Sequence, residues 1–257
     1  MEPNPLKSAL HSPHSSVVFL SGAGFSAASG IPTFRGEEGY WREGSAVYTP
    51  MEMATFRMFS NHPHRVWAWY RMRLSTCREA TPNAAHEALV ALEERLEGRL
   101  TLVTQNVDGL HGRSGFPQGT LMEIHGNIEK RRCSQPACHY QDKHPPFQPD
   151  EPLKKEDYSC PRCQAWLRPH VLWFDEVYSE EHYQAQSAMT ATYHGKVLIV
   201  CGTSGSTNLP LQMMQMAHET GAHILDINPD KSPFSRAGDW WQCTAVEGMT
   251  RLLNLAL

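Results

Sequence analysis

The stretch VVFLSGAGFSAASGIPTFRG, residues 17–36, joins a strand pattern to a glycine-rich turn. Its first four residues are apolar, as in a strand buried within a parallel sheet. Gly22 and Gly24 then open the G-x-G-x-x-G of a dinucleotide-binding turn, but Ala27 stands at the position of the third glycine. The stretch leaves three possibilities open: an NAD site of the dehydrogenase type, a site for another phosphate, or a plain turn.

Three more segments have the composition of buried strands. Residues 100–104, 196–201 and 223–228 are short runs dominated by Val, Ile and Leu, and residues 81–98 have the apolar spacing of a helix. Alternating strands and helices predict the α/β class, here a Rossmann-like, doubly wound parallel sheet. In such folds, ligands bind at the carboxyl ends of the strands.

Two segments interrupt this alternation. Residues 36–80 are rich in aromatic residues, Met and Arg and predict a helical insert, whereas residues 127–172 hold two cysteine pairs and many prolines. We expect both inserts to form a small domain against the sheet. The predicted sheet domain then consists of residues 17–35, 81–126 and 173–257, and it follows an N-terminal extension, 1–16, whose order the sequence leaves open.

The bulk composition excludes several classes of protein. Of the 257 residues, 40% are hydrophobic and 19% are charged, and the net charge is −4, so no basic surface for nucleic acid or an anionic membrane is expected. No apolar run reaches the roughly 18 residues that a membrane span needs. The first sixteen residues resemble neither a signal peptide nor a transit peptide, so the expected location is the cytoplasm.

Four of the seven cysteines form two close pairs, which predict a metal site. Four thiolates in this arrangement match a tetrahedral zinc site, and they leave no ligand position for a reactive water. One structural zinc ion is therefore expected, holding the small domain folded. His139 and His144 stay open as alternative ligands. The four predicted ligands are Cys133, Cys138, Cys160 and Cys163.

Four polar clusters lie at predicted strand ends or in the turns that follow them. They are the loop after residue 20 and residues 104–111, 123–126 and 201–205. Taken singly, each has a plain explanation: a turn, a capped helix start, or a buried histidine. Their convergence at one edge of the sheet favours a binding site instead.

The same motifs, in the same order, resemble a known family. GAGFSAASGIPTFRG, TQNVDGLH, the His-Gly at 125–126, the cysteine pairs and GTSG resemble the sirtuins, NAD-dependent protein lysine deacylases, over residues 17–229. The resemblance implies a Rossmann-like NAD-binding domain and a small domain, with NAD and the acyl-lysine of a protein substrate meeting in the cleft between them. A monomer is the simplest expectation for the assembly.

The resemblance also implies roles for individual residues in NAD binding. The turn at Gly22, Ala23 and Gly24 approaches the pyrophosphate, because backbone N–H groups at a helix start favour anions. Asn106 and Asp108 recognise the carboxamide of nicotinamide. The resemblance also implies a mobile loop in which Phe34 covers the nicotinamide exit and Arg35 approaches the phosphates. The remaining implied NAD contacts are Ser26, Ile31, Pro32, Trp41, Gln105, Val107, Gly202, Thr203, Ser204, Asn228, Pro229 and Asp230.

His125 is the implied general base, and Asn106 is the second implied catalytic residue. In the family's reaction, the acyl-lysine oxygen attacks the anomeric carbon of the ribose and nicotinamide leaves. His125 then deprotonates a ribose hydroxyl, which attacks the resulting imidate. Histidine suits this role because its ordinary pKa of about 6.5 lies near working pH. The products are lysine, nicotinamide and an O-acyl-ADP-ribose.

The acyl group is indicated by Tyr70 and Arg73, which are three residues apart and share one helix face. An amphipathic helix explains them without any function, but the pair resembles the sirtuin subclass that removes succinyl, malonyl and glutaryl groups. Ala54 matches the small residue that widens the pocket of that subclass. A dicarboxylic acyl group is therefore expected, with acetyl as a further substrate. A hydroxyl beside a guanidinium is also a good receptor for a carboxylate.

Two segments depart from the family pattern. Residues 171–176 resemble the strand that clamps the substrate peptide, and Phe174 and Glu176 are its implied substrate contacts, but Asp175 stands where the family usually has glycine. Residues 207–210 do not match the usual Val-x-Pro after GTSG. The sequence therefore leaves the peptide preference open.

Two other functions compete with deacylation. The same pocket could serve a mono-ADP-ribosyltransferase or NAD glycohydrolase, but His125 together with Tyr70 and Arg73 favours deacylation. A module that binds acylated proteins without turnover is a third hypothesis. The complete set of Asn106, Asp108 and His125 argues against it.

Overall fold

A computed structural model of the chain describes residues 5–32, 49–147 and 151–256. The predicted NAD contacts Phe34, Arg35 and Trp41 lie outside these described residues. Within them the strands, numbered along the chain, are β1 (Val17–Ser21), β2 (Leu100–Thr104), β3 (Leu121–Glu123), β4 (Gly126–Cys133), β5 (Gln141–Lys143), β6 (Leu167–Val171), β7 (Val197–Cys201), β8 (His223–Ile227) and β9 (Asp239–Trp241).

The larger sheet has six parallel strands in the order β3-β2-β1-β7-β8-β9. The chain runs outward from β1 through β2 and β3, then starts again at β7 on the other side of β1. The strand order therefore reverses between β1 and β7, the place where α/β sheets bind ligands. Every residue of β1 and β7 is buried, which confirms the prediction of central parallel strands.

The helices of the described residues are α1 (Pro5–His11), α2 (Pro50–Met53), α3 (Phe56–Asn61), α4 (Pro63–Glu79), α5 (Ala84–Leu96), α6 (Leu110–Arg113), α7 (Glu180–Tyr183), α8 (Ala185–His194), α9 (Asn208–Glu219), α10 (Phe234–Ala237) and α11 (Ala245–Leu255). Local sequence sets their boundaries. The Asn83 side chain accepts from the Ala85 N–H at 2.8 Å and caps α5, and Pro63 occupies the first turn of α4. None of these helices combines the length and the apolar character needed to cross a membrane.

Helices cover both faces of the larger sheet, because neighbouring residues of each strand point to opposite sides. Phe19 of β1 packs in a core with α1, α5 and α11, whereas Leu20 packs in a second core with α8, α9 and α10. This is the doubly wound arrangement that the sequence predicts. In the described part of the N-terminal extension, Leu6 and Leu10 lie one helical turn apart on α1 and are both buried in the core on one face of the sheet.

The two inserts share a separate core. β4 pairs with both β5 and β6 in a three-stranded antiparallel sheet, and α4 contacts β4 and β6. Trp67 of α4 is fully buried, and its indole N–H donates to the Leu167 carbonyl at 2.8 Å. The helical and cysteine-containing segments thus pack as one small unit beside the parallel sheet. The exact domain boundaries stay a prediction.

Candidate active site

The parallel register brings the predicted polar clusters to one edge of the larger sheet. The last residue of β1, Ser21, pairs with Thr104 of β2 and with Cys201 of β7. Thr104 in turn pairs with Glu123, and Cys201 pairs with Ile227. The five strands therefore end at the same level. The loops that follow them must meet there, as expected from the sequence.

The glycine loops after β1 and β7 pack directly against each other. A Cβ atom on Gly22 would lie 2.5 Å from the Thr203 Cβ, and one on Gly24 would lie 2.8 Å from the Gly202 Cα. The N–H of Gly24 donates to the Gly202 carbonyl at 2.8 Å, and that of Gly22 donates to the Cys201 carbonyl at 2.9 Å. Both N–H groups are thus engaged between the loops in this structure. The glycines first serve the close approach of two backbones, rather than presenting their own N–H groups to a phosphate.

A buried polar cluster lies where the loops after β1 and β2 meet. The Asn106 amide nitrogen donates to the Ser26 hydroxyl oxygen at 3.1 Å, and the Ser26 hydroxyl donates to an Asp108 carboxylate oxygen at 2.8 Å. The Leu110 N–H donates to the other Asp108 oxygen at 2.8 Å. Burial raises the pKa of the Asp108 carboxyl, and these hydrogen bonds oppose that rise. An amide, a hydroxyl and a carboxyl group so arranged suit a planar carboxamide, which needs both donors and acceptors.

His125 follows β3, and its hydrogen bonds fix its protonation. The Nδ1 atom lies 3.0 Å from the Gln105 carbonyl oxygen, which can only accept, so Nδ1 carries the proton and Nε2 holds the lone pair. Burial in the protein lowers the pKa of His125 to about 4, only partly offset by the bond to Gln105. The imidazole is therefore neutral at working pH, as a general base must be. The expectation from its ordinary pKa understated how strongly the site favours this form.

Gln105 and Asn228 connect the strand ends on either side of β1 and β7. The Gln105 amide donates to the Thr203 hydroxyl at 2.9 Å, and the Asn228 amide donates to the Thr203 carbonyl at 3.3 Å. Asn228 is buried, whereas Ser204 and the two residues after Asn228 are exposed at the rim. The residues at the rim are Ser204, Pro229 and Asp230.

Ile31 and Val107 lie next to the small unit. Both are partly buried and pack against the core of the small unit, and Pro32 next to Ile31 is also partly buried. Ala23 is partly buried within the glycine loop. The described NAD candidates therefore lie in the loops at the carboxyl ends of the larger sheet and, at Ile31 and Val107, against the small unit.

Tyr70 and Arg73 lie on α4, as predicted, but both make contacts within the protein. Tyr70 is buried, its hydroxyl accepts from the Trp173 indole N–H at 2.8 Å, and burial raises its pKa to about 12. The Arg73 guanidinium lies over the Trp69 ring, 4.4 Å from its centre, and its charge opposes the rise in the Tyr70 pKa. Ala54 is buried in the same core. The three predicted residues thus belong to one region.

The segment after β6 contacts the start of α3. The Phe174 N–H donates to the Ala54 carbonyl at 3.0 Å, and the Phe174 side chain is 47% exposed. The Asp175 carboxylate accepts from the N–H groups of Phe56 and Arg57 at 2.7 and 3.0 Å. Asp175, at the position of the family's glycine, therefore caps α3.

Glu176 faces the protein interior rather than the cleft. Arg168, whose side chain is 1% exposed, donates to Glu176 through both terminal nitrogens, one of them at 2.8 Å. The Trp173 N–H donates to the same carboxylate at 3.0 Å. The carboxylate is thus committed to holding this turn. Its predicted role as a substrate contact would have to act through the position of Trp173 and Phe174.

The four predicted cysteine ligands form one cluster. Their sulfur atoms all lie within 4.8 Å of one another, and the Cys133–Cys163 and Cys138–Cys160 pairs are 3.4 and 3.7 Å apart. Zinc–sulfur bonds of about 2.3 Å in a tetrahedron place the sulfurs about 3.8 Å apart, so the cluster fits a zinc ion. The alternative ligands lie elsewhere: His139 contacts Glu181, and His144 contacts Tyr158.

Sequence reasoning missed Tyr178. Its hydroxyl lies 2.8 Å from His125 Nε2, the atom that holds the lone pair of the base. No motif marks this residue, and only its position two residues after the departing segment 171–176 could have drawn attention to it.

Comparison with known proteins identifies the family. A family model described as the Sir2 family matches residues 22–208. An NAD-dependent protein deacylase of Leptospira interrogans is 41% identical over 220 residues, covering 86% of this chain and 84% of the relative. A Sir2 homologue variant in complex with ADP-ribose is 34% identical with a TM-score of 0.84, covering 100% of this chain and 96% of the other.

A structure of Sir2 with a p53 peptide and NAD+ has a TM-score of 0.77 at 25% identity, and the match covers 99% of this chain and 98% of that one. The family match spans the glycine loops, the polar cluster, His125 and the four cysteines. On this agreement of sequence, fold and site, the chain belongs to the Sir2 family, the sirtuins.

Proposed function

We propose that this chain is an NAD-dependent protein lysine deacylase, which transfers the acyl group of a modified lysine to ADP-ribose and releases nicotinamide. The observation that carries the proposal is His125. His125 follows the edge strand β3 at the carboxyl end of the larger sheet, and the Nδ1–H bond to Gln105 leaves the lone pair on Nε2, the atom that can accept a proton. The relatives that bear the name of this activity support the assignment.

The buried cluster of Ser26, Asn106 and Asp108 supplies the proposed nicotinamide site. A carboxamide has one oxygen that accepts and two N–H groups that donate. Asn106 offers an amide, Asp108 a carboxyl group, and Ser26 joins the two by hydrogen bonds of 3.1 and 2.8 Å. Polar groups that are already arranged in a buried site need little free energy to reorganise when the ligand binds. Tight recognition of the leaving group follows from this arrangement.

The proposed acyl preference is for succinyl, malonyl and glutaryl groups, with acetyl as a further substrate. Tyr70 accepts from Trp173, so its own O–H proton is left for another acceptor. Arg73 adds a cation near Tyr70, and the two could together receive a carboxylate. The size of Ala54 supports the same choice, because a small side chain leaves room for a longer acyl group.

One experiment tests both levels of this proposal. The protein is incubated with NAD and matched acetyl-, malonyl-, succinyl- and glutaryl-lysine peptides, and mass spectrometry follows the peptides and nicotinamide together. We expect one nicotinamide released per lysine freed, with the dicarboxylic acyl peptides preferred. Nicotinamide release that does not depend on peptide would instead indicate a glycohydrolase or an ADP-ribosyltransferase, and intact NAD would indicate a binding module.

A variant series tests the acyl assignment. Arg73→Met should reduce desuccinylation at least about tenfold and leave deacetylation within about twofold, because removing a charged partner of a carboxylate costs roughly 1.5–3 kcal/mol. Arg65→Met is the matched control, since Arg65 is an exposed arginine of the same helix. Equal activity of the Arg73 variant and wild type on succinyl peptides would refute the assignment.

A further inference from the structure

Tyr178 makes a contact that the proposed reaction does not use. Its hydroxyl lies 2.8 Å from Nε2 of His125, and Nε2 carries the lone pair because Nδ1 donates to the Gln105 carbonyl. The Tyr178 O–H is therefore the donor of this bond. Burial raises the pKa of Tyr178 to about 12, so the hydroxyl keeps its proton at any working pH.

Two further residues connect to this bond. The Thr207 hydroxyl lies beside that of Tyr178 and donates to the Gln105 side-chain oxygen at 3.0 Å. The Gln105 backbone carbonyl accepts from His125. Thr207 lies in one of the two segments that depart from the family pattern.

A ring nitrogen of neutral histidine has a single in-plane lone pair, which accepts one strong hydrogen bond. Tyr178 and a ribose hydroxyl therefore cannot both donate to Nε2 in full strength. We infer that Tyr178 competes with the co-substrate for His125: its O–H occupies Nε2 in the free protein until a ribose hydroxyl of the co-substrate takes its place. This inference rests on the proposed role of His125 as the base.

The exchange has a consequence for binding. Wild-type protein must give up the Tyr178–His125 hydrogen bond when the ribose arrives, and a bond of this kind is worth on the order of twofold to tenfold in an equilibrium constant. His125 stays anchored through Nδ1 without Tyr178, so little orientation is lost. Removing the tyrosine hydroxyl should therefore tighten binding of any ligand whose ribose reaches His125.

Calorimetric titration of Tyr178→Phe with ADP-ribose and with ADP tests the inference. ADP lacks the second ribose and serves as the matched ligand. We expect the dissociation constant for ADP-ribose to fall about 2- to 10-fold, with that for ADP unchanged. In turnover, KM for NAD should fall by the same factor and kcat should not fall. Tyr193→Phe, which removes an exposed tyrosine hydroxyl from α8, should change neither constant.

Thr207→Val provides a second route if the tyrosine variant melts below wild type. It removes the hydroxyl beside that of Tyr178 and should tighten ADP-ribose binding in the same direction by a smaller factor. Unchanged or weaker binding of ADP-ribose to both variants would overturn the inference and leave the deacylase assignment standing, as would a loss of kcat in Tyr178→Phe with KM unchanged. Wild-type protein that binds neither ADP-ribose nor NAD would remove the proposed function, and this inference with it.

Discussion

Replacing Asp175 by Ala removes the cap that joins the segment after β6 to α3. All four N–H groups of the first turn of α3 have acceptors in the structure. Phe56 and Arg57 donate to the Asp175 carboxylate, Met58 donates to the Thr55 hydroxyl at 3.1 Å, and Phe59 donates to the Thr55 carbonyl at 3.1 Å. The substitution leaves the first two of these groups to water.

The size of the effect follows from exposure. Loss of an acceptor at a helix start costs about 0.5–2 kcal/mol, and loss of a negative charge there costs about 0.3–1 kcal/mol. Asp175 is exposed, so water replaces the carboxylate and salt screens its charge. We therefore expect a loss of about 1 kcal/mol in the free energy of unfolding. For a chain of this size, that corresponds to a fall of about 2–4 °C in Tm.

Hydrogen–deuterium exchange locates the effect. The amides of Phe56 and Arg57 should exchange about fivefold faster in Asp175→Ala, because 1.4 kcal/mol corresponds to a factor of ten. Asp175→Asn keeps an acceptor oxygen without the charge, so its two amides should exchange at rates between those of Asp175→Ala and wild type. Glu94→Ala, which removes an exposed carboxylate from α5, controls for the change in net charge.

Unchanged exchange of the two amides in Asp175→Ala would show that the Asp175 carboxylate does not stabilise the start of α3. A fall in Tm without a local change at α3 would lead to the same conclusion, because the lost stability would then come from another part of the chain. The cap also joins the segment after β6, which holds the proposed peptide contact Phe174, to α3. Asp175→Ala should therefore raise KM for the peptide more than KM for NAD.

Three other predictions concern the metal site, the buried histidines and the glycine loops. Removing the metal with a strong chelator, or replacing Cys163 by Ser, should release one zinc ion per chain. The small unit should then become sensitive to protease while the parallel sheet stays folded. A small unit that resists protease without metal would contradict this. Burial lowers the pKa of His86 from 6.5 to about 4, so neutral His86 favours the folded state fully above pH 6.5. As pH falls from 6.5 toward 4, the free energy of unfolding should decrease by about 3 kcal/mol. Urea unfolding of wild type and His86→Gln across this range should show a smaller pH dependence in the variant. Gly22→Ala places a Cβ 2.5 Å from the Thr203 Cβ and should cost about 1–3 kcal/mol in urea unfolding, whereas Gly119→Ala, where no atom lies within 4 Å, should cost little.

Much of the fold follows from local patterns in the sequence. The runs of apolar residues predict β1, β2, β7 and β8 because a strand buried on both faces needs no alternation. The structure adds β3 and β9, which have only three residues each and are too short to show a pattern. Their partners in the sheet, rather than their own sequences, determine that they are strands. The metal cluster was predictable because its ligands form two close pairs along the chain.

The candidate site was predictable to a lesser extent. Residue types near strand ends identify Asn106, Asp108 and His125, since parallel strands bring their carboxyl ends to one edge. Sequence could not show that Tyr178 faces His125 or that Glu176 faces inward to Arg168, because both contacts join segments whose relative position only the folded chain sets. The pKa of His125 depends on the same packing. The assigned roles in NAD and substrate binding stay predictions until they are measured.

The missing third glycine has a structural explanation. In a dehydrogenase turn, that glycine lets a long helix pack closely against the strand that precedes it. Here no such helix follows β1 within the described residues 21–32, which form two short 3₁₀ turns, 23–25 and 27–29, ending at Gly30 with φ of 80°. Ala27 is exposed, and the Asn83 amide holds both turns, because it donates to the Phe25 carbonyl of the first and the Ser29 hydroxyl of the second, both at 3.0 Å. A glycine at residue 27 is therefore not needed, because no helix or strand of the described chain packs closely against this exposed position. Gly22 and Gly24, the two glycines that remain, contact Thr203 and Gly202. The loop therefore keeps the glycines that let two backbones approach closely and lacks the one that lets a helix pack.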